Sequence, residues 1–178
     1  MSEFGFINDL RPLADRDHAL DFQDDAATMP PADVICTDTL VESVHFFGSE
    51  PAGELAHKML AVNVSDVLAM NARPTHALLN LSLPRRCDAE WRTDFVAGLK
   101  AACAHFDLRL LGGDTTGAPT SLVLTATVIG ALDGRALWRR SGARVGDRIC
   151  VGGAIGAGAL GLRDMQNGET GSTFAQHF

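Results

Sequence analysis

The sequence predicts an α+β domain, and three observations carry that prediction. Residues 121–132 (SLVLTATVIGAL) form a long run rich in β-branched side chains, the composition of a strand. Residues 54–71 and those after Asp88 instead place apolar side chains at helical spacing. Long, hairpin-like β runs mixed with such helices fit an α+β sandwich better than a strict parallel βαβ series.

Taken in order, Phe4, Ile7, Leu10 and Leu13 predict a helix over residues 3–14, disturbed by Pro12. Residues 20–32 are acidic, small and proline-containing, and read as a loop. Residues 33–37 and 40–47 read as two short strands, followed by a break at 49–53. The next helix carries Leu55, Met59, Val62 and Ala69 on one face. Residues 75–83 form a strand ending at Pro84. Asp88 suits the N-cap of a helix that buries Trp91, Phe95, Leu99, Ala102, Cys103 and Phe106. A short strand at 108–111 is expected to stop at Gly112-Gly113. After the 121–132 run come a connector, a strand at 148–151 and a helix from about Ala157. The domain expectation is a core domain over 1–135, a connector over 136–147, and the start of a second domain, cut short, over 148–178.

Composition narrows the function classes. A chain of 178 residues with 46% hydrophobic and 21% charged side chains can bury a core without staples. A net charge of −7 argues against a general grip on nucleic acid or an anionic membrane. Phosphate ligands remain open, because bound divalent cations reverse the local sign. Cys36, Cys87, Cys103 and Cys150 form no CxxC pair, so reduced thiols and a cytoplasmic location are expected. The first residues include acids and lack a signal-peptide pattern, and no apolar run is long enough to span a bilayer.

The chemistry sits in the acids. Asp24-Asp25 (QDDAA), Asp38 (CTDTLVESVHF), Asp66 (NVSDVLAM) and Asp114 (LLGGDTT) each lie beside an apolar segment, flanked by small or hydroxyl residues. A carboxylate against a core must be paired, hydrogen-bonded or metal-bound. Few Lys or Arg stand near these in sequence, and carboxylates with threonine hydroxyls suit magnesium, above all where phosphates complete the shell. Each acid alone also fits a plainer role: an exposed loop pair for 24–25, a turn cap for Asp38, a partner of Asn63 or Ser65 for Asp66, a turn residue for Asp114. Their recurrence makes the metal reading the stronger one. His45 could face the same site or be an ordinary surface residue, and Arg139-Arg140 could be a solvated pair or a phosphate clamp. The GxGxxG at 156–161 lacks the rest of a dinucleotide fold, and no P-loop is present.

These segments, with RRSGARVGD at 139–147, occur in the order and approximate spacing of thiamine-monophosphate kinase, which the chain resembles over nearly all of residues 1–165. That family belongs to the superfamily of aminoimidazole ribonucleotide synthetase and selenophosphate synthetase. The resemblance implies the amino-terminal domain of the aminoimidazole ribonucleotide synthetase-like fold, a mixed sheet with helices packed on one face. It implies Asp25, Thr37, Asp38, Asp66 and Asp114 as ligands of several Mg2+ ions, and Gly113, Asp114 and Arg140 as contacts to ATP. It further implies that His45 touches thiamine monophosphate, that Asp24 assists its neighbour, and that the protein is a homodimer joined through its sheets. No covalent nucleophile or general base is expected. The chain departs from the family at Gln23 and Ser43, where glycine is usual, and at Cys36, often serine. The family's Asp-x-Ser-Asp-Gly segment of the second domain does not occur in the 178 residues, so full kinase activity of this chain alone is not expected. Other superfamily enzymes, a metal-dependent phosphatase, and an interaction module keeping the fold without the chemistry are the rival readings.

Overall fold

The computed structural model describes residue 24, residues 27–29 and residues 33–168. The expected helix at 3–14 and Asp25 lie outside the described residues.

The alternation that marks residues 121–132 in the sequence builds the centre of the sheet. Along β5 (Val123–Ala131), Leu124, Ala126, Val128 and Gly130 are buried, and the residues between them are half-buried on the other face. Around it lie β1 (Ala27–Met29), β2 (Asp33–Val41), β3 (Arg73–Pro84) and β4 (Arg109–Ala118), in the order β1-β2-β5-β3-β4. Every pairing is antiparallel except β3 with β4, which run parallel. Helix α1 (Ala52–Ala69) covers the buried face, and α2 (Ala89–His105) packs on α1. The architecture is the mixed sheet with helices on one face that the sequence and its resemblance imply.

Leu55, Met59, Leu60 and Val67 of α1 meet Val34, Leu124 and Val128 of the sheet, all with less than 2% exposure or barely more. Each such side chain contributes roughly 1.5–3 kcal/mol by leaving water. The helices approach closely because Gly53 and Gly98 face each other: a Cβ on Gly98 would stand 2.3 Å from the Gly53 Cα. Asp88 caps α2, its side chain accepting from the Trp91 amide at 2.9 Å. On α2, Phe95 and Ala102 are fully buried, while Trp91, Leu99, Cys103 and Phe106 pack half-buried against the core.

Several boundaries differ from the sequence expectation. Residues 33–37 and 40–47 do not form two strands; β2 runs unbroken to Val41, and a turn follows with Ser43 at φ 64°. Its pairing with β5 continues through the polar Thr-Asp-Thr stretch, so tertiary pairing overrides the local break. Gly112 and Gly113 do not stop β4 but let it pass. Both have φ near +149°, and a Cβ on Gly113 would lie 1.8 Å from the Leu79 carbonyl oxygen, beside a register shift at Ala77/Leu78. The longest strand among the described residues is β3, with 12 residues. Residues 27–29 of the expected loop pair with β2 as a short edge strand.

The chain divides into two compact units, 1–142 and 143–178, at a point inside the 136–147 segment. A 3-10 turn (Arg140–Gly142) ends the first. In the second, residues 148–151 form no strand: no partner strand adjoins them among the described residues, and Ile149 is 95% exposed. Helix α3 (Ala157–Gln166) begins at Gly156, in the left-handed region at φ 88°, and buries Ala157, Gly161 and Asp164. No helix among the described residues is long and apolar enough to cross a membrane.

Candidate metal and nucleotide site

Strand register decides which acids can meet. Cys36, Asp38 and Leu40 lie opposite Val128, Ala126 and Leu124, so all three stand on the face that α1 covers. Among the described residues β1 pairs with β2 only at residues 33–35, which leaves a gap beside Asp38. Asn63 of α1 closes that gap: its Oδ1 accepts from the Asp38 amide at 2.8 Å. Its carbonyl oxygen accepts from the Cys36 thiol at 3.2 Å, and its Nδ2 donates to the Met59 carbonyl at 2.9 Å. Asn63 is 0% exposed, and every polar group it buries is thereby answered.

Asp66 lies one turn along α1 from Asn63, the residue that bonds the Asp38 amide. Burial, then the negative charges of Asp66 and Asp38, push the Cys36 thiol up to about 12. Two carboxylates from different elements therefore act on one buried sulfur. Asp38 is exposed and Asp66 half-buried, so both are within reach of solvent and ligand.

Thr37 takes the other face. Its hydroxyl donates to the Ala126 carbonyl at 3.0 Å and accepts from the Thr127 hydroxyl at 3.0 Å. Thr39 and Thr125, whose hydroxyls are 2.8 Å apart, continue this polar row. Asn80 pairs with Thr125 and Asp114 with Asn80, so the register puts Asp114 on the Thr37 face. Gly113 shares a row with Asp38 through Ala126 and Leu79; three strand spacings put it roughly 14 Å from Asp38. Asp38 and Asp66 thus both act on the Cys36 sulfur, while the register holds Asp114 apart, on the exposed strand β4. Asp25 lies outside the described residues. No three His, Cys, Asp or Glu side chains among the described residues are grouped to hold a metal on their own. A pair of carboxylates open to solvent suits an ion such as Mg2+, which keeps several waters and binds through one or two carboxylates plus substrate phosphates.

Asp24 has a different use. Its side chain is only 2% exposed and pairs with the Arg139 guanidinium at 2.9 Å, while the Arg140 amide donates to its other oxygen at 2.9 Å. Sequence inspection missed this pair because the partners stand 115 residues apart. The bond ties the chain before β1 to the end of the first unit and fixes the main chain at Arg140. Arg139 is thereby an ion-pair partner rather than half of a solvated pair.

His45 sits in the turn after β2, exposed. Its Nδ1 accepts from the Val41 amide at 3.0 Å, and its carbonyl accepts from the Lys58 ammonium at 2.9 Å. The adjoining loop is held by Glu50, whose carboxylate accepts from the Phe47 and Gly48 amides, each at 2.7 Å. Glu42, bonded to the Leu122 amide and to Arg86, is held below the usual carboxylate range, chiefly by the Leu122 amide.

The sequence over this sheet-and-helix unit matches a known family: AIR synthase related protein, N-terminal domain, over residues 23–132. The chain belongs to that family. Among individual relatives, the thiamine-monophosphate kinase of Caulobacter vibrioides is 43% identical over 159 residues, covering 86% of this chain and 45% of its own. The crystal structure of thiamine monophosphate kinase from Aquifex aeolicus superposes with a TM-score of 0.83 at 28% identity, covering 94% of this chain and 54% of that one. A structure of AaThiL complexed with AMPPCP and TMP gives 0.84 at 28% identity, over 93% and 53%. The chain spans less than half the length of the Caulobacter relative and little more than half of these solved chains. Asn63, which locks the site, is the residue that sequence reasoning undervalued. Its signal was an amide four residues after Met59 on an otherwise apolar helix face.

Proposed function

We propose that this chain is the metal- and nucleotide-binding part of a thiamine-monophosphate kinase, which moves the γ-phosphoryl group of ATP onto thiamine monophosphate to give thiamine diphosphate. The observation that carries the reading is the 2.8 Å hydrogen bond from the Asp38 amide to Asn63 Oδ1, which ties the strand bearing Asp38 to the helix bearing Asp66. The kinase names of the relatives and the AMPPCP and TMP in a solved relative support it.

In this reading Asp38 and Asp66 hold one Mg2+, Asp25, Thr37 and Asp114 serve further Mg2+ ions, and Gly113, Asp114 and Arg140 meet the nucleotide. Magnesium bound there would screen the phosphate charges and favour an in-line displacement. The acceptor phosphate has a second pKa of about 6, so at neutral pH its attacking oxygen is already mostly ionised. No general base is needed, and the chain's part is to orient and to neutralise. The Asp24–Arg139 pair holds the main chain at Arg140 in place for the nucleotide. A homodimer and a cytoplasmic location belong to the same proposal.

The test is formation of thiamine diphosphate by the complete gene product, separated by chromatography after conversion to thiochrome. Product should require ATP, Mg2+ and thiamine monophosphate together, and Asp66→Asn should lower the rate at least about a hundredfold with the fold intact, as expected when a group stabilising the transition state is lost. Phosphate release without the acceptor would instead mark a phosphatase, and no turnover of any kind would favour a binding module.

A further inference from the structure

Two imidazoles meet where α1 passes the end of α2. His57 stands in the second turn of α1, and His105 is the last residue of α2, 48 positions later in the sequence. Their ring centroids are 5.7 Å apart, with the planes tilted at 47°. Phe106 holds both: its ring lies 5.1 Å from that of His57 and edge-on at 4.7 Å from that of His105. Phe106 is itself fixed, half-buried against the core, with its amide donating to the Ala102 carbonyl at 3.0 Å. Both histidines are exposed, and among the described residues neither ring has a hydrogen-bond or ion-pair partner. Packing on Phe106 explains why the rings are ordered, but it leaves their four nitrogens without protein partners.

We propose that His57 and His105 form a two-imidazole site for a transition-metal ion of the Zn2+ or Ni2+ kind, which joins α1 to α2. A metal about 2.0–2.1 Å from one nitrogen of each ring leaves the ring centres roughly 5–6 Å apart, as these two are. The planes are tilted rather than stacked, so an edge of each ring can turn to a common point. No third His, Cys, Asp or Glu among the described residues joins the pair, so water completes the shell. Nitrogen donors suit Zn2+ and Ni2+, whereas Mg2+ takes oxygen ligands. The site is therefore chemically separate from the carboxylates, and spatially too: nine residues along α1 place Asp66 roughly 14 Å from His57. His105 lies in the last turn of α2, where the partial negative charge of the helix end favours a cation. Because the packing on Phe106 already holds both donors, binding an ion costs little further ordering. The inference does not depend on the function proposed above.

The test uses the 178-residue chain in a Cys150→Ser background, because that exposed thiol would compete for the probe, Zn2+. Nitrogen-15 spectra of the histidine rings at pH 8 follow a Zn2+ titration. The His57 and His105 resonances should shift together along one binding curve, and Zn2+ should raise the urea midpoint because it binds the folded chain. His57→Gln and His105→Gln should each weaken that binding at least about tenfold, with the remaining histidine responding only at correspondingly higher Zn2+. Zn2+ that shifts neither ring, or only one, overturns the proposal, and so does undiminished affinity in either variant. Both side chains are exposed, so either variant that folds decides the matter. A urea midpoint raised equally by Zn2+ in the unaltered chain and in a glutamine variant assigns the effect to other groups and likewise overturns it.

Discussion

Replacing Asn63 by alanine tests how the site is held together. The side chain is wholly buried and makes two bonds of good length, to the Asp38 amide at 2.8 Å and the Met59 carbonyl at 2.9 Å. The Cys36 thiol adds a weaker contact to its Oδ1 at 3.8 Å. At about 1 kcal/mol net for each good bond, with a further ~1 kcal/mol for packing lost around the shortened side chain, Asn63→Ala should cost about 2–4 kcal/mol. Urea unfolding followed by circular dichroism should show a lower midpoint with an unchanged slope. The variant should also bind Mg2+–AMPPCP about tenfold more weakly, because Asp38 loses its anchor to the helix that carries Asp66. A loss under about 0.5 kcal/mol would refute the idea that Asn63 joins β2 to α1. A full loss of stability with unaltered metal-dependent binding would refute its part in placing Asp38.

Four further outcomes follow from particular residues. The folded-state pKa of Cys36 lies near 12, above the ordinary thiol value of 9.0, so the unfolded chain gives up its proton first. The stabilising contribution of the thiol is therefore whole below pH 9 and fades toward pH 12, by up to ~1.4 kcal/mol per pH unit relative to Cys36→Ala in parallel urea titrations. For the Asp24–Arg139 pair, Arg139→Ala should cost more, about 2–3 kcal/mol, than Asp24→Asn, since it strands a carboxylate only 2% exposed while the half-exposed guanidinium can turn to water. Equal losses in thermal unfolding would contradict that asymmetry. Gly113→Ala should lower stability by more than about 3 kcal/mol because its Cβ has no room beside Leu79, whereas Gly117→Ala, with open space around it, should stay within about 0.5 kcal/mol. Ser43 sits at φ 64°, in the left-handed region that favours glycine, so Ser43→Gly should raise the melting temperature, by about 0.5–1 kcal/mol in stability.

Much of the fold was legible because the driving patterns are local. The alternation over residues 123–131, the apolar stripe of α1 and the capping aspartate of α2 are each decided within a few residues. What could not be read locally was pairing. Strand β2 continues through Thr37-Asp38-Thr39 because β5 lies alongside, and β4 passes its two glycines because Leu79 lies against them. The candidate site divides the same way. The acids stood out by type and by their apolar surroundings, but the separation of Asp38 and Asp114 across three strand spacings is a property of the register. The Arg139 partner of Asp24 stands too far along the chain for any window to find, and Asn63 hid as one amide in an apolar helix.

The central claim is that Asp38 and Asp66 form a cation-dependent seat for nucleotide phosphates. Calorimetric titration of AMPPCP into this chain, with Mg2+ and then with EDTA, tests it most directly, with Asp66→Asn measured beside the unaltered protein. The account predicts binding heat that appears only with Mg2+ and falls at least tenfold in affinity in Asp66→Asn, about the worth of one charge-assisted contact. Equal binding with EDTA, or an Asp66→Asn chain indistinguishable from the original, would contradict it.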